Sequence, residues 1–143
     1  MVKEPTPAPR GQVLLTTKLY VPRPRQALVA RPTLFSRLEQ GLQYKLTLVS
    51  APAGFGKTTL IAAWAGQSAY PVAWLSLDAA DDDLARFLAY VAAALQTVDS
   101  HLGEEMMAAV EGNQPVQTVE LLARLLNEID QTGQPLILVL DDY

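Results

Sequence analysis

The chain has 143 residues, a length typical of one compact domain. Half of its residues are hydrophobic and 18% are charged, a composition that excludes wholesale disorder. It has no cysteine and a single histidine, His101, which excludes disulfide scaffolds, thiol catalysis, cysteine-ligated zinc and metal sites built on several histidines.

Charge is divided unevenly along the chain. Residues 1–57 carry nine Lys/Arg and two Asp/Glu, whereas residues 58–143 carry two Lys/Arg and thirteen Asp/Glu. A basic segment of this kind suits nucleic acid or another anionic ligand. No apolar run is long enough for a transmembrane helix, and the N-terminus lacks the apolar core of a signal peptide. We therefore expect a cytoplasmic protein without membrane contacts.

The basic half begins with a proline-rich tail over residues 1–10, followed by an extended segment over 11–32. A short helix is predicted from Pro32 or Thr33 to Glu39, with Gly41 as the residue just past its end. Residues 45–50 and 72–77 are predicted to be strands, because both runs are apolar and rich in β-formers. The residues between them predict a helix that ends near Gly66.

The acidic half predicts three more helices and a final strand. Asp81, Asp82 and Asp83 precede an apolar helical pattern over 84–98, which favours capping and solvation for these carboxylates. Helices are also predicted over 104–111 and 116–131. One side of the second is predicted to hold Val119, Leu122, Leu125, Leu126 and Ile129. The apolar run over 136–142 predicts a strand buried on both faces of a parallel sheet, and the alternation of strands and helices indicates an α/β domain.

The most informative motif follows the first predicted strand. Residues 51–59 read APAGFGKTT and match the spacing of a phosphate loop, although Ala51 stands where the pattern has glycine. Glycines allow close backbone approach to phosphate, and the following helix N-terminus favours an anion. Lys57 is expected to reach the β- and γ-phosphates, and Thr58 to bind Mg²⁺. The predicted nucleotide-binding residues of the loop are Ala53, Gly54, Phe55, Gly56, Lys57, Thr58 and Thr59.

The last predicted strand ends in two aspartates, as in a Walker B motif. Ligands of open α/β sheets bind beyond the carboxyl ends of the strands. Asp141 is therefore predicted to approach the Mg²⁺ through water. Asp142 is the predicted catalytic residue, which would orient or deprotonate an attacking water.

Four stretches together resemble the MalT-like family of LuxR-type transcription activators, which belong to the STAND class of P-loop NTPases. They read TTKLYVPRPRQALVARPTLFSRLEQGL, KLTLVSAPAGFGKTTLIAAWA, VAWLSLDAADDDLARFLAYVAAALQ and LILVLDDY. The resemblance implies a P-loop NTPase of three α/β/α layers with a mostly parallel sheet, of which this sequence holds an N-terminal portion. After the disordered proline-rich tail that composition predicts over 1–10, it further implies a segment over 11–41 that contributes to the adenine pocket and a partial core over 42–143, from Walker A to Walker B.

The same resemblance implies ATP or ADP as the ligand, with Mg²⁺, and Leu28, Val29 and Arg31 as adenine-pocket residues. In the family, ADP holds a resting form, and ATP with an inducer allows self-association and DNA binding through other parts of a longer chain. No direct DNA contact is expected from the residues present here. The family fold also places a later strand between those of Walker A and Walker B, so we expect this sheet to lack a central member.

Three functions stay open on the sequence. The first is an ATP/ADP switch with slow or no hydrolysis, at most a slow STAND-type ATPase. The second is a catalytic P-loop ATPase or small-molecule kinase, which needs an acceptor site or coupling elements that the sequence does not display. The third is a truncated piece with no nucleotide binding of its own.

Overall fold

The computed structural model describes residues 13–23, 31–112 and 117–142. Helices α1 to α5 span Pro32–Gly41, Lys57–Ala65, Leu84–Gln96, Glu104–Glu111 and Thr118–Gln131, and strands β1 and β2 span Val72–Ser76 and Ile137–Asp141. Short 3-10 turns occupy Thr16–Leu19 and Ala79–Asp82. In the described part of the chain, no helix combines the length and apolarity needed to cross a bilayer.

The chain divides into two compact units. The sheet unit contains the described residues of 1–20 and 70–143, and the loop unit contains those of 21–69. The predicted 1–10 tail lies outside the described residues. The domain boundaries derived from the resemblance stay a prediction.

The sheet unit is built on two parallel strands, as the alternation of elements predicted. β1 and β2 pair in register from Val72 opposite Ile137 to Ser76 opposite Asp141. The pairing continues beyond both ends, because Ile137 N–H donates to Pro71 O and Leu77 N–H donates to Asp141 O, each at 2.9 Å. A two-stranded parallel sheet is compatible with an α/β class, and the P-loop NTPase assignment stays a prediction.

The core of the sheet unit lies between β1 and α3. Ala73 and Leu75 of β1 are fully buried, and Leu88 and Tyr90 of α3 join them in one apolar cluster. The turn into α4 passes close to α3, since a Cβ on Gly103 would lie 2.9 Å from the Cβ of Ala92. This tight packing explains a glycine at that turn, where φ is +73°.

The predicted burial of the last strand on both faces is wrong. Leu138 and Leu140 of β2 are 36% exposed, so this strand is not covered on both faces. The apolar side predicted for α5 is covered only in part, because Leu125 is buried but Val119 is 83% exposed and Leu126 is 65% exposed. Successive helical residues are rotated by about 100°, so an apolar stripe this wide is divided when the helix packs on one side only.

The loop unit also departs from the predicted pattern. Residues 45–50 form no strand, and Leu46 and Leu48 are more than 80% exposed. An extended segment becomes a strand only when its N–H and C=O groups pair with a neighbour, and none pairs with it within the described residues. Gly41 is the last residue of α1 and not the left-handed residue past its end, because the chain continues through Leu42 in a right-handed turn.

Candidate functional site

The phosphate-loop motif lies in the loop unit and turns directly into a helix. Gly54 has φ +83° and Gly56 has φ +78°, both in the left-handed region that favours glycine. A Cβ at either glycine would meet no atom within 4 Å. Backbone conformation, and not lack of space, is therefore what requires glycine at these two positions.

α2 begins at Lys57, immediately after the loop. Gly56 occupies the capping position and supplies no side chain to the amide groups of the first turn. Amides in the first turn of a helix have no acceptor within the helix, and the helix dipole places partial positive charge there. This end of α2 thus has the properties that favour an anion.

The Lys57 side chain folds back over the loop. Its Nζ donates to the carbonyl oxygen of Ala51 at 2.7 Å and to that of Pro52 at 3.3 Å. Both acceptors belong to the loop, so the ammonium group lies beside the segment where the motif predicts phosphate. Ala51 accepts this bond through its backbone carbonyl oxygen, which any residue supplies. Alanine in place of the usual glycine therefore leaves the contact intact.

The other loop residues predicted to bind nucleotide differ in exposure. Ala53, Phe55 and Thr59 are exposed, with Phe55 at 67%, whereas Thr58 is half-buried at the start of α2. The exposed positions leave this side of the loop open to solvent. The structure therefore places Ala53 to Gly56 in the turn that leads into α2, and Lys57, Thr58 and Thr59 in the first turn of that helix.

The adenine-pocket residues implied by the resemblance are only partly described. Leu28 and Val29 lie outside the described residues. Arg31 is exposed and stands at the capping position of α1, where its carbonyl oxygen accepts from Leu34 N–H and Phe35 N–H, each at 3.1 Å. Its role in binding a base stays a prediction.

The two predicted aspartates lie at the end of β2, in the sheet unit. Asp141 is the last residue of the strand and is 7% exposed. Asp142 is exposed and has φ +62°, the one positive φ found at a non-glycine position among the described residues. Aspartate tolerates this conformation better than most residues do, because its short polar side chain can bond locally.

The predicted metal-binding side chains offer oxygen donors for an Mg²⁺ whose other ligands are phosphate and water. Within the described residues, no group of three or more His, Cys, Asp or Glu is arranged to hold a metal ion. Mg²⁺ in nucleotide sites is held largely by phosphate oxygens and water, with only one or two protein oxygens. The Thr58 hydroxyl and the Asp141 carboxylate are oxygen donors of the right type, and their part in metal binding stays a prediction.

The sequence reasoning missed a buried charge cluster in the sheet unit. Lys18 is 8% exposed, and its Nζ lies 2.7 Å from Asp81 Oδ2 and 2.8 Å from Asp78 Oδ2. The same ammonium lies 4.9 Å from the centre of the Tyr90 ring, a cation–π contact. The Tyr90 hydroxyl accepts from Leu15 N–H at 3.1 Å. These contacts fasten residues 15–18 to the core of the sheet unit.

The acidic run is therefore divided in role. Asp83 caps α3 by accepting from Arg86 N–H at 2.8 Å, which confirms the predicted capping. Asp81 is buried, and its carboxylate contacts both Lys18 and the Arg86 Nε at 3.4 Å, so the expectation of solvation is wrong for it. No feature of the local sequence distinguishes Asp81 from its neighbours, since its partner Lys18 is 63 residues away.

The ion pairs shift the pKa values of the cluster. Burial by itself raises the pKa of Asp81, but hydrogen bonds from the Lys18 ammonium and the Asp78 N–H outweigh it and leave that pKa below its usual range. The Lys18 hydrogen bond also lowers the pKa of Asp78. Desolvation lowers the pKa of Lys18, but its two carboxylate partners outweigh this effect and raise it above the ordinary value. All three groups are charged at neutral pH.

Comparison with known proteins gives one consistent relationship. No family model matches the chain. Over 131 residues, it is 39% identical to the HTH-type transcriptional regulator MalT of Serratia proteamaculans (strain 568). It is 37% identical over the same length to proteins of that name from Yersinia enterocolitica and Yersinia pestis.

These alignments cover 92% of this chain and 14% of each relative. The chain therefore spans about one seventh of the length of the curated relatives that it matches. The similarity supports a MalT-like sequence over nearly all of the chain, in agreement with the resemblance in the motifs. The activity of the full-length relatives is a property of much longer proteins, of which this chain matches about one seventh.

Proposed function

We propose that this chain is an ATP/ADP-binding module of a MalT-like transcriptional regulator, with slow or no hydrolysis. The single observation that supports it most is the conformation of the phosphate loop. Two left-handed glycines precede a helix N-terminus without a side-chain cap, and the Lys57 ammonium lies 2.7 Å from a loop carbonyl. The similarity to MalT over 92% of the chain adds the regulator context.

In this proposal the loop binds the phosphates of the nucleotide. The backbone of Ala53 to Lys57 and the first turn of α2 supply N–H groups and partial positive charge to the anion. Lys57 would exchange its contacts with the loop carbonyls for the β- and γ-phosphates. Such an exchange is favourable, because a charged acceptor makes a stronger hydrogen bond than a neutral carbonyl.

Mg²⁺, when bound, neutralises phosphate charge. We assign the Thr58 hydroxyl to it as an oxygen ligand and the Asp141 carboxylate as an oxygen contact through water. Arg31, Leu28 and Val29 are the proposed contacts of the adenine base. Asp142 is the proposed group that orients a water, and its exposed position at the end of β2 gives it access to solvent.

The test is nucleotide binding by the purified chain, measured by titration calorimetry with ADP and ATP in Mg²⁺. We expect Lys57→Ala to weaken ADP binding by about tenfold or more, since a hydrogen bond to a charged group contributes roughly 1.5–3 kcal/mol. Lys45→Ala is the matched control, because Lys45 is an exposed lysine of the same unit, and it should change the affinity by less than about twofold.

Two outcomes contradict the proposal. If the wild type and Lys57→Ala bind equally well, the loop is not the phosphate site. If neither binds, the chain carries the motif without the function. In a companion variant, Asp141→Asn, the affinity for ATP should fall more when Mg²⁺ is present than when it is removed by EDTA. An equal loss of affinity under both conditions would show that Asp141 does not contribute to Mg²⁺ binding.

Slow turnover separates the switch from a catalytic enzyme. P-loop NTPases that lack an arginine finger hydrolyse on the order of 0.02 nucleotides per minute. Phosphate release under multiple-turnover conditions should therefore stay below about one per minute, and faster release would favour the ATPase alternative.

A further inference from the structure

Trp64 is the most deeply buried large side chain of the loop unit within the described residues. It lies near the end of α2 and is 5% exposed. Its indole Nε1 donates to Glu39 Oε1 of α1 at 2.6 Å. This contact between the two helices uses a carboxylate as acceptor, and charge-assisted bonds of this kind are stronger than neutral ones.

The position of Trp64 on α2 ties this bond to the phosphate loop. Trp64 comes seven residues after Lys57, and seven residues complete nearly two helical turns. The two side chains therefore leave α2 on nearly the same side, about 10 Å apart along its axis. Fixing the indole fixes the rotation of α2 about its own axis, and with it the direction in which Lys57 leaves the helix.

The end of α1 also holds the segment on the other side of the loop. The Thr47 hydroxyl donates to the carbonyl oxygen of Gly41 at 3.2 Å. A Cβ on Gly41 would lie 2.6 Å from that hydroxyl oxygen, so glycine is what permits the approach. Thr47 precedes Ala51 by four residues. The last turn of α1 thus contacts both flanks of the phosphate loop, through Thr47 before it and through Trp64 after it.

The geometry points to Glu39 and Trp64 as positioning residues that set the rotation of α2 and the direction of Lys57. This inference rests on the proposed function in one respect, because the group that Lys57 faces is taken to be a phosphate. Neither residue touches the nucleotide in this proposal. α1 begins directly after Arg31, so one helix connects the predicted base contact at its start to the support of the phosphate loop at its end.

The first experiment measures ADP binding by Glu39→Ala, Glu39→Gln and Gln40→Ala. Glu39→Ala removes the acceptor, and we expect the Kd for ADP to rise about tenfold. Glu39→Gln keeps an acceptor oxygen and should restore the Kd to within about threefold of wild type. Gln40→Ala is the matched control, an exposed neighbour on the same helix, and should stay within about twofold. Equal affinity of Glu39→Ala and wild type would overturn the inference.

The second experiment needs no nucleotide and reads the position of α2 directly. Hydrogen exchange is followed in residues 44–61 of the nucleotide-free variants. Glu39→Ala should speed exchange there at least about tenfold over Gln40→Ala, and Glu39→Gln should not. Unchanged exchange in Glu39→Ala overturns the inference whether or not ADP binds. Far-UV circular dichroism and exchange in 84–96 report whether a variant has lost its fold.

Tryptophan fluorescence distinguishes a role of Glu39 in positioning α2 from a general contribution to stability. In a Trp74→Phe background, Trp64 is the remaining tryptophan, and its emission reports on the Glu39 contact. ADP should shift this emission in the wild-type Glu39 protein and in Glu39→Gln, but not in Glu39→Ala. If the wild type does not bind ADP at all, the proposed function fails while the exchange experiment still decides the role of Glu39. An ADP-induced shift of equal size in Glu39→Ala would contradict the positioning role.

Discussion

The sheet unit and the loop unit differ in how many side chains each of them buries. The sheet unit buries whole side chains from both a strand and a helix, with Trp74, Leu75 and Tyr90 at 0% exposure. Within the described residues, the loop unit buries only two hydrophobic side chains, Ala62 and Trp64. Its stability therefore depends on a few specific contacts, such as the bond between Glu39 and Trp64. The predicted phosphate site lies in the unit with the smaller core.

This difference fits a general division between scaffold and site. Binding residues concentrate on loops, and the segments that respond to ligands come from the less stable parts of a structure. The loop glycines and the exposed Phe55 belong to such a part. In the sheet unit, even the charged residues Lys18 and Asp81 are buried, and they pair with each other. Each prediction below tests this contrast, from the largest expected effect to the smallest.

Truncation of a core residue should destabilise the sheet unit far more than truncation of a leucine in the loop unit. Leu88 is 2% exposed, and Leu88→Ala should lower the free energy of unfolding by about 2–5 kcal/mol through lost burial and a cavity. Leu48 is 81% exposed, and Leu48→Ala should change it by less than about 0.5 kcal/mol. Urea denaturation measures both. Similar losses at the two sites would contradict the contrast.

Removal of the buried ammonium should have the next largest effect. Lys18→Met leaves the buried Asp81 carboxylate without its ammonium partner, with the Asp78 N–H and the longer Arg86 contact remaining, and should cost about 2–3 kcal/mol of unfolding free energy. Denaturation of Lys18→Met, compared with the exposed-site control Lys45→Met, measures this. A loss no greater than in the control would show that the cluster adds nothing to the fold.

The two classes of glycine should respond in opposite directions. Gly56→Ala forces an alanine to φ +78° and should cost roughly 1–2 kcal/mol of unfolding free energy and weaken ADP binding. Gly66 has φ −66°, and a Cβ there has its nearest neighbour at 3.6 Å. Gly66→Ala should therefore be neutral or stabilise the protein by up to about 1 kcal/mol. Denaturation and ADP titration of both variants measure this. Equal effects of Gly56→Ala and Gly66→Ala would show that the positive φ of Gly56 is not what requires glycine in the loop.

The smallest effect should appear in the pH dependence of stability. The pKa values of Asp78 and Asp81 are lowered in the folded chain, so their contribution is present above the unfolded pKa of about 4 and is lost as the pH falls through the folded value. The raised pKa of Lys18 gives a contribution that is lost only when the pH rises through that value. Lys18→Met should flatten the decline in unfolding free energy between neutral and acidic pH. If the unfolding free energy of Lys18→Met falls with acidification as steeply as that of the wild type, the ion pairs do not contribute to the pH dependence of stability.

The helices and their spacing could be predicted well from the sequence. Predicted α4 agrees with the observed Glu104–Glu111, and α3 and α5 agree to within two residues at each end. Local patterns suffice here because a helix makes its backbone bonds within one segment. The loop that leads into α2 could likewise be predicted from its two glycines and the helix formers after it, and its binding of phosphate stays a prediction.

The segment 45–50 shows why strands are harder to predict. Its composition favours a strand as much as that of 72–77 does, but among the described residues only the second segment has a strand partner. Strand formation depends on a neighbour that the local sequence does not specify. The exposed leucines of α5 follow the same logic, because apolar spacing predicts a helix and does not say which of its sides is covered.

The sequence alone determined where the helices form, where the glycine-bearing loop before α2 lies and that the chain is MalT-like. These properties depend on local backbone preference and on short-range spacing. Only the tertiary structure decided that Asp81 is buried against Lys18, that Glu39 accepts a hydrogen bond from Trp64 and that 45–50 pairs with no strand in the part of the chain that the structure describes. Each of these depends on groups far apart in the chain that meet only when it folds, and their burial and pairing energies are set by that meeting.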